Sequence, residues 1–139
     1  MAIGIMEVKL VGAKRLKNAD FLGKMDPYVL LQYRNQECKS SIAKGQGRNP
    51  TWNEKLEFRV DYPVADEQYK LVLKIMDQDT FTADDYLGQA TIYVKELIEF
   101  GLEKGKAELR PQKYRVVLTD KTYHGEIQVE VTFTAKVPS

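Results

Sequence analysis

Four aspartates, Asp77, Asp79, Asp84 and Asp85, fall within nine positions of the stretch Met76-Asp77-Gln78-Asp79-Thr80-Phe81-Thr82-Ala83-Asp84-Asp85-Tyr86-Leu87-Gly88. No Lys or Arg lies among them, so like charges repel within a loop shorter than two Debye lengths. A chain keeps such a cluster folded most easily around a cation. Oxygen-only ligands suit a hard ion, Ca²⁺ before Mg²⁺, because neither thiolate nor imidazole is at hand for zinc. The competing reading is a solvated acidic turn, and the stretch alone does not decide between them.

The elements that must position the cluster are strands. Met6, Val8 and Leu10 alternate with Glu7 and Lys9, and Leu56, Phe58 and Val60 alternate with Lys55, Glu57 and Arg59. Ile127, Val129, Val131 and Phe133 repeat the pattern, each run reading as a strand with one buried face. Between them lie Pro27–Arg34, Glu37–Ala43, Tyr69–Met76, Leu87–Val94 and Lys113–Leu118, with Asn35-Gln36 as a tight connection. Eight short strands with polar turns predict an all-β fold, an eight-stranded antiparallel sandwich. Val94, Leu97, Ile98 and Leu102 fall at helical spacing, so one short helix is expected over Val94–Lys104. The whole chain, 1–139, reads as one domain.

Strand parity then gives the acidic stretch a second half. If neighbouring strands are antiparallel, the connections after the first, third, fifth and seventh strands emerge at one end. The first of these, Asn18-Ala19-Asp20-Phe21-Leu22-Gly23-Lys24-Met25-Asp26-Pro27, brings Asp20 and Asp26. Asp20, Asp26, Asp77, Asp79 and Asp85, with Asp84 nearby, can then face one cavity, and convergence of two acidic loops favours the metal site. Phe21, Leu22 and Phe81 sit at loop tips, either to enter a lipid interface or to pack under their own loops. Lys44-Gly45-Gln46-Gly47-Arg48-Asn49-Pro50 is basic and flexible, either a phosphate contact or ordinary solvated charge.

Composition narrows the partners. A net charge of +1 gives no global field for nucleic acid, so any electrostatic function rests on local patches. The single Cys38 allows no internal disulfide, which fits a reducing compartment. The opening Met1-Ala2-Ile3-Gly4-Ile5-Met6 has neither the basic and apolar regions of a signal peptide nor the Gly that myristoylation needs. No apolar run approaches the ~20 residues of a membrane span. Membrane contact, if made, is expected to be cytosolic and reversible.

Other chemistries fit worse. Counting from Asp77 as an EF-hand loop, the sixth place is Thr82 instead of Gly and the twelfth is Gly88 instead of Glu. An apolar strand followed by Asp77-Gln78-Asp79-Thr80 is similar to the start of an aspartyl phosphatase, but that chemistry needs a parallel α/β scaffold. The lone His124 supports no Ser-His-Asp set and reads as a solvated turn residue. No enzymatic activity is expected.

Three segments in order, Met25-Asp26-Pro27-Tyr28-Val29, Asn49-Pro50-Thr51-Trp52-Asn53-Glu54 and the acidic loop ending Asp85-Tyr86-Leu87-Gly88, resemble the C2 domain family. The resemblance implies a Greek-key sandwich that binds Ca²⁺ between loops at one end and then docks on anionic phospholipid. It implies as ligands Asp20, Asp26, Asp77, Asp79 and Asp85, with the backbone carbonyls of Ala19 and Gln78. Asp84 fills a place where the family varies, either supporting an extra ion or standing outside the ligand set. Phe21, Leu22, Phe81, Lys24, Lys44 and Arg48 would face the membrane. A first loop after a single strand resembles the permuted type II topology. More narrowly, Ala19-Asp20-Phe21-Leu22-Gly23, Val94-Lys95-Glu96-Leu97 and Glu103-Lys104-Gly105-Lys106-Ala107-Glu108-Leu109 before Pro111 resemble the small stand-alone plant proteins termed elicitor-responsive or 16-kDa phloem proteins. That likeness implies a cytoplasmic monomer that becomes peripheral on the plasma membrane when Ca²⁺-bound, in stress or defence signalling. The alternative is a Ca²⁺-regulated adaptor for a protein partner or for RNA, the latter unsupported by charge. Only Lys39 stands on Glu37–Ala43, where many lipid-selective relatives carry a lysine pair, which argues against strong polyphosphoinositide selectivity.

Overall fold

A computed structural model describes residues 2–19 and 23–136. The strands are β1 (Ala2–Lys14), β2 (Pro27–Tyr33), β3 (Gln36–Lys39), β4 (Thr51–Tyr62), β5 (Lys70–Asp77), β6 (Asp85–Tyr93), β7 (Lys106–Val117) and β8 (Tyr123–Lys136). The helix α1 spans Lys95–Lys104 between β6 and β7. All pairings are antiparallel, in the order β3-β2-β5-β6-β7-β8-β1-β4. Two four-stranded layers result, β3-β2-β5-β6 and β7-β8-β1-β4, joined along β6 and β7 by the single pair Gln89↔Val117. The antiparallel sandwich expected from alternation is therefore the fold.

Alternation holds because each layer has one dry face. Val29, Leu31 and Tyr33 of β2 and Leu71, Leu73 and Ile75 of β5 face Met6, Val8 and Leu10 of β1 and Val129, Val131 and Phe133 of β8 in one core. Tyr33 crosses the gap to Phe58 of β4, with ring centroids 6.4 Å apart and planes tilted by 60°. Helix α1 buries Leu97, Ile98 and Gly101. A Cβ on Gly101 would come within 2.4 Å of the Phe133 ring, so a side chain there would push the helix off the sheet. Val94, expected as the first helical residue, is the N-cap, and Gly105 ends the helix with φ 92°, its N–H donating to Gly101 O at 2.7 Å.

Several strand boundaries differ from expectation, three of them for identifiable reasons. β3 ends at Lys39, not Ala43, because the Ser40 side chain replaces a ladder partner. Its Oγ accepts the Val29 N–H at 2.8 Å and donates to Ser41 O at 2.9 Å. The hairpin into β3 turns one residue earlier than expected, at Arg34-Asn35, with Arg34 at φ 56° and its guanidinium clamped on Asp66 at 2.6 and 3.1 Å. β7 starts at Lys106 instead of Lys113, because Pro111 lies in a bulge between the pairs Leu109↔Val131 and Gln112↔Val129. A bulge leaves a residue out of the ladder, so proline's missing N–H costs nothing there.

The Tyr33 hydroxyl is buried and makes no hydrogen bond to the described residues. Burial pushes its pKa from the ordinary 10.0 up to about 12. A raised value means stability that is complete below pH 10 and falls as pH climbs through 12. Tyr33→Phe is expected to unfold at higher urea, by about 1 kcal/mol at pH 7, and to lose less stability between pH 10 and 12 than the native chain.

Candidate metal centre at one end of the sandwich

The loops after β1, β3, β5 and β7 meet at one end, as strand parity requires. Leu16 N–H donates to Arg48 O at 3.1 Å, Gly47 N–H to Met25 O at 3.0 Å, and Gln78 N–H to Asp26 O at 3.1 Å. Arg48 fastens the first two of these loops from its side chain, Nε donating to Leu16 O at 2.8 Å, and its Nη2 lies 3.5 Å from His124 Nε2 at the start of β8.

Within this end, one carboxylate oxygen each from Asp77, Asp79 and Asp85 lies within 4.8 Å of the others. Register creates the arrangement. Asp77 closes β5 directly opposite Asp85, the first residue of β6. The ladder reads Ile75↔Gly88 and then Met76↔Tyr86, so Leu87 is an extra residue on β6. Without that bulge, the register beyond it would slip by one and Asp85 would no longer face Asp77. Gly88 makes the bulge feasible. Its φ is 134°, and a Cβ there would meet Val116 Cγ1 at 2.5 Å.

The rigidity of the three differs. Asp77 is only 1% exposed, and its Oδ1 accepts the Asp26 N–H at 2.8 Å. Asp79 and Asp85 are half-buried. Like charges set directly across a ladder are destabilising, and here the buried member cannot swing into solvent. An all-oxygen set in this position fits a hard divalent ion such as Ca²⁺. Ligand atoms so close together would supply acidic oxygens from three directions.

The remaining expected ligands divide. Asp26 is welded to the group through its backbone, N–H to Asp77 and C=O to Gln78, yet its own Oδ1 accepts the Gly45 N–H at 2.7 Å. It is therefore at the rim, outside the three-carboxylate group. Ala19 is exposed on a polar cavity that Asp85 also lines, and its N–H points to Met25 Sδ at 3.4 Å. Gln78 sits between Asp77 and Asp79 with its N–H already bonded to Asp26. Asp20, Phe21 and Leu22 lie outside the described residues.

Asp84 has a different job from the other three. Its Oδ1 accepts the Asp79 N–H at 3.0 Å and its Oδ2 accepts the Tyr28 hydroxyl. These two bonds, the hydroxyl first, hold its carboxyl below the usual range, with Lys39 helping. The Tyr28 hydroxyl is pushed up to about 12, by burial first and by Asp84 second. Lys39 Nζ stands 4.5 Å from the centre of the Tyr28 ring. Asp84 thus ties the loop that carries Asp79 back to β2. Tyr28 and Lys39 were not read as site residues in the sequence, although Tyr28 lies within Asp26-Pro27-Tyr28.

The tip of the same loop is Phe81, which is 95% exposed. Lys24 and Lys44 are exposed on neighbouring loops at this end. Arg48 is exposed too, with part of its guanidinium engaged in the loop contacts above.

The family model of the C2 domain matches residues 4–113. The chain belongs to the C2 domain family. It is 54% identical over 135 residues to 16 kDa phloem protein 1 of Arabidopsis thaliana, covering 96% of this chain and 86% of that protein. It is 56% identical to elicitor-responsive protein 1 of Oryza sativa subsp. japonica, over 95% of this chain and 85% of that one. Neither relative is named as an enzyme. Among solved structures it is similar to a C2 domain-containing protein from a putative elicitor-responsive gene. That match has a TM-score of 0.74 and 40% identity, covering 100% of this chain and 96% of the other. The eight strands have the type II arrangement, in which β1 lies between β4 and β8. C2 domains are in general Ca²⁺- and phospholipid-binding modules.

If the carboxylates repel one another without a cation, removing two of them should stabilise the bare protein. Asp79→Asn with Asp85→Asn is expected to raise the thermal midpoint in EGTA by about 3 °C, the equivalent of roughly 1 kcal/mol. Millimolar Ca²⁺ is expected to raise the midpoint of the native chain by several degrees and to leave the double variant unmoved. A native midpoint indifferent to Ca²⁺ would remove the metal-centre reading.

Proposed function

We propose that this C2 domain is a Ca²⁺-dependent phospholipid-binding module that moves to the cytosolic face of the plasma membrane in stress or defence signalling. The observation that carries the reading is the approach of Asp77, Asp79 and Asp85 to within 4.8 Å of one another. Asp20 and Asp26 complete the proposed ligand set, with the carbonyls of Ala19 and Gln78. Bound there, Ca²⁺ supplies positive charge against the carboxylates and open positions for phosphate oxygens.

The residues of the chain do the rest. The carboxylates of the proposed ligand set repel an anionic leaflet, and their neutralisation lets the loop end approach it. Lys24, Lys44 and Arg48 then each add roughly 1 kcal/mol of attraction near the surface. Phe81, exposed at the loop tip, enters the interface, and Phe21 and Leu22 are proposed to enter it too. Ion and membrane therefore reinforce each other's binding, because each completes a site for the other. The defence setting is supported by the name of the rice relative, an elicitor-responsive protein.

Sedimentation with phosphatidylserine vesicles tests the proposal. The native chain is expected in the pellet with Ca²⁺ and in the supernatant with EGTA. Asp79→Asn with Asp85→Asn should stay in the supernatant under both conditions, and Phe81→Ser should weaken pelleting several-fold while keeping its Ca²⁺ dependence. Pelleting that ignores Ca²⁺, or that survives the paired Asp substitutions, would sink it.

A further inference from the structure

The seam between the two layers is almost unzipped. β6 and β7 pair only at Gln89↔Val117, and beyond Gln89 β6 continues to Tyr93 with no described strand on its outer edge. Every second residue over 90–93 therefore turns its backbone N–H and C=O away from β5. Beside that edge runs an open groove of about 640 Å³. It is walled by Tyr86, Tyr93, Tyr114, Tyr123, Arg115 and Lys121, and among the described residues no carboxylate lines it. Tyr93 and Tyr123 are 71% and 62% exposed. Arg115 stands 5.3 Å from the Tyr123 ring centre and Lys70 stands 6.0 Å from that of Tyr93. Among the described residues, neither Arg115, Lys121 nor Lys70 forms an ion pair with a carboxylate.

These features select one kind of occupant. An unpaired strand edge takes an extended backbone, which supplies the missing ladder bonds. Cations without carboxylate partners take an anion. Tyrosines flanking them offer hydroxyls to acidic groups. A nucleic acid strand suits the groove less well, because stacking needs bare ring faces and the two most exposed rings already carry their own cations. A bilayer is flat where this surface is recessed. We propose that the seam is a docking site for an extended acidic polypeptide segment, which adds as a strand to the free edge of β6 and sets its carboxylates on Arg115 and Lys121. At about 3.3 Å per residue, five to six residues span Gln89 to Tyr93, and alternate side chains face the basic wall.

The probe is a fluorescein-labelled octapeptide of alternating Val and Glu, followed by anisotropy at low salt in EGTA and without lipid. Saturable binding is expected, with backbone amide shifts in a ¹⁵N correlation spectrum concentrated at Thr91, Ile92 and Tyr93. Arg115→Gln with Lys121→Gln, both at exposed positions, should weaken binding about tenfold. The same peptide with Lys for Glu should not bind. Equal binding of the Lys peptide, unshifted amides over 89–93, or an eight-nucleotide oligothymidylate that outcompetes the Glu peptide would each overturn the proposal. With no Ca²⁺ and no vesicle in the assay, its failure leaves the metal-centre reading untouched.

Discussion

The facing of Asp77 and Asp85 across the β5–β6 ladder is the constraint on which the rest of this molecule depends. Two carboxylates at less than 5 Å repel by roughly 3 kcal/mol at an effective dielectric near 20, and Asp79 adds a third charge. In most ladders one of such a pair would be replaced or would swing outward. Here Asp77 is held by the Asp26 N–H, and Asp26 is in turn bonded to Gln78 and to Gly45. Three loops thus meet on Asp26, whose backbone N–H holds the buried Asp77 carboxylate in place. Asp77, the buried member, cannot relieve the repulsion by turning into solvent.

Around that point Asp84 holds its loop without joining the three-carboxylate group. Its two oxygens reach the Asp79 N–H and the Tyr28 hydroxyl, so the loop tip is anchored to β2 without borrowing from Asp77, Asp79 or Asp85. Arg48 also holds loops together, through Leu16 O. Asp79 and Asp85 remain partly accessible to solvent.

Much of the fold was legible because both layers keep one wet face and one dry face. Met6, Val8, Leu10, Phe58, Val60, Val129 and Val131 are all buried as alternation required. The boundaries that were missed turn on single side chains that mimic or break a ladder, Ser40 at the end of β3 and Pro111 inside β7. Such substitutions leave no trace in a hydrophobic period. Among the site residues, parity alone brought Asp26 near Asp77, since it needs only strand count and antiparallel order. The roles of Asp84 and Asp26 were not legible, because they depend on how far Tyr28 and Gly45 reach across neighbouring elements. The bulge at Leu87 was invisible too, although Gly88 beside it marks where the backbone needed φ 134°.

The near-neutral total charge, +1, covers two local concentrations. The carboxylates of Asp77, Asp79 and Asp85 converge at the loop end, while Arg115, Lys121 and Lys70 stand along the β6–β7 seam without ion-pair partners among the described residues. A chain optimised only for stability would pair them, because uncompensated like charges weaken the folded state. β6 contributes to both poles, with Asp85 at its first residue and Tyr93 at its last. Its inner edge is laddered to β5 from end to end except at the Leu87 bulge and sets the acidic geometry, whereas its outer edge is joined to β7 at one pair only. One strand can therefore be rigid toward the carboxylates and open toward a partner, since hydrogen bonds on its two edges are made independently.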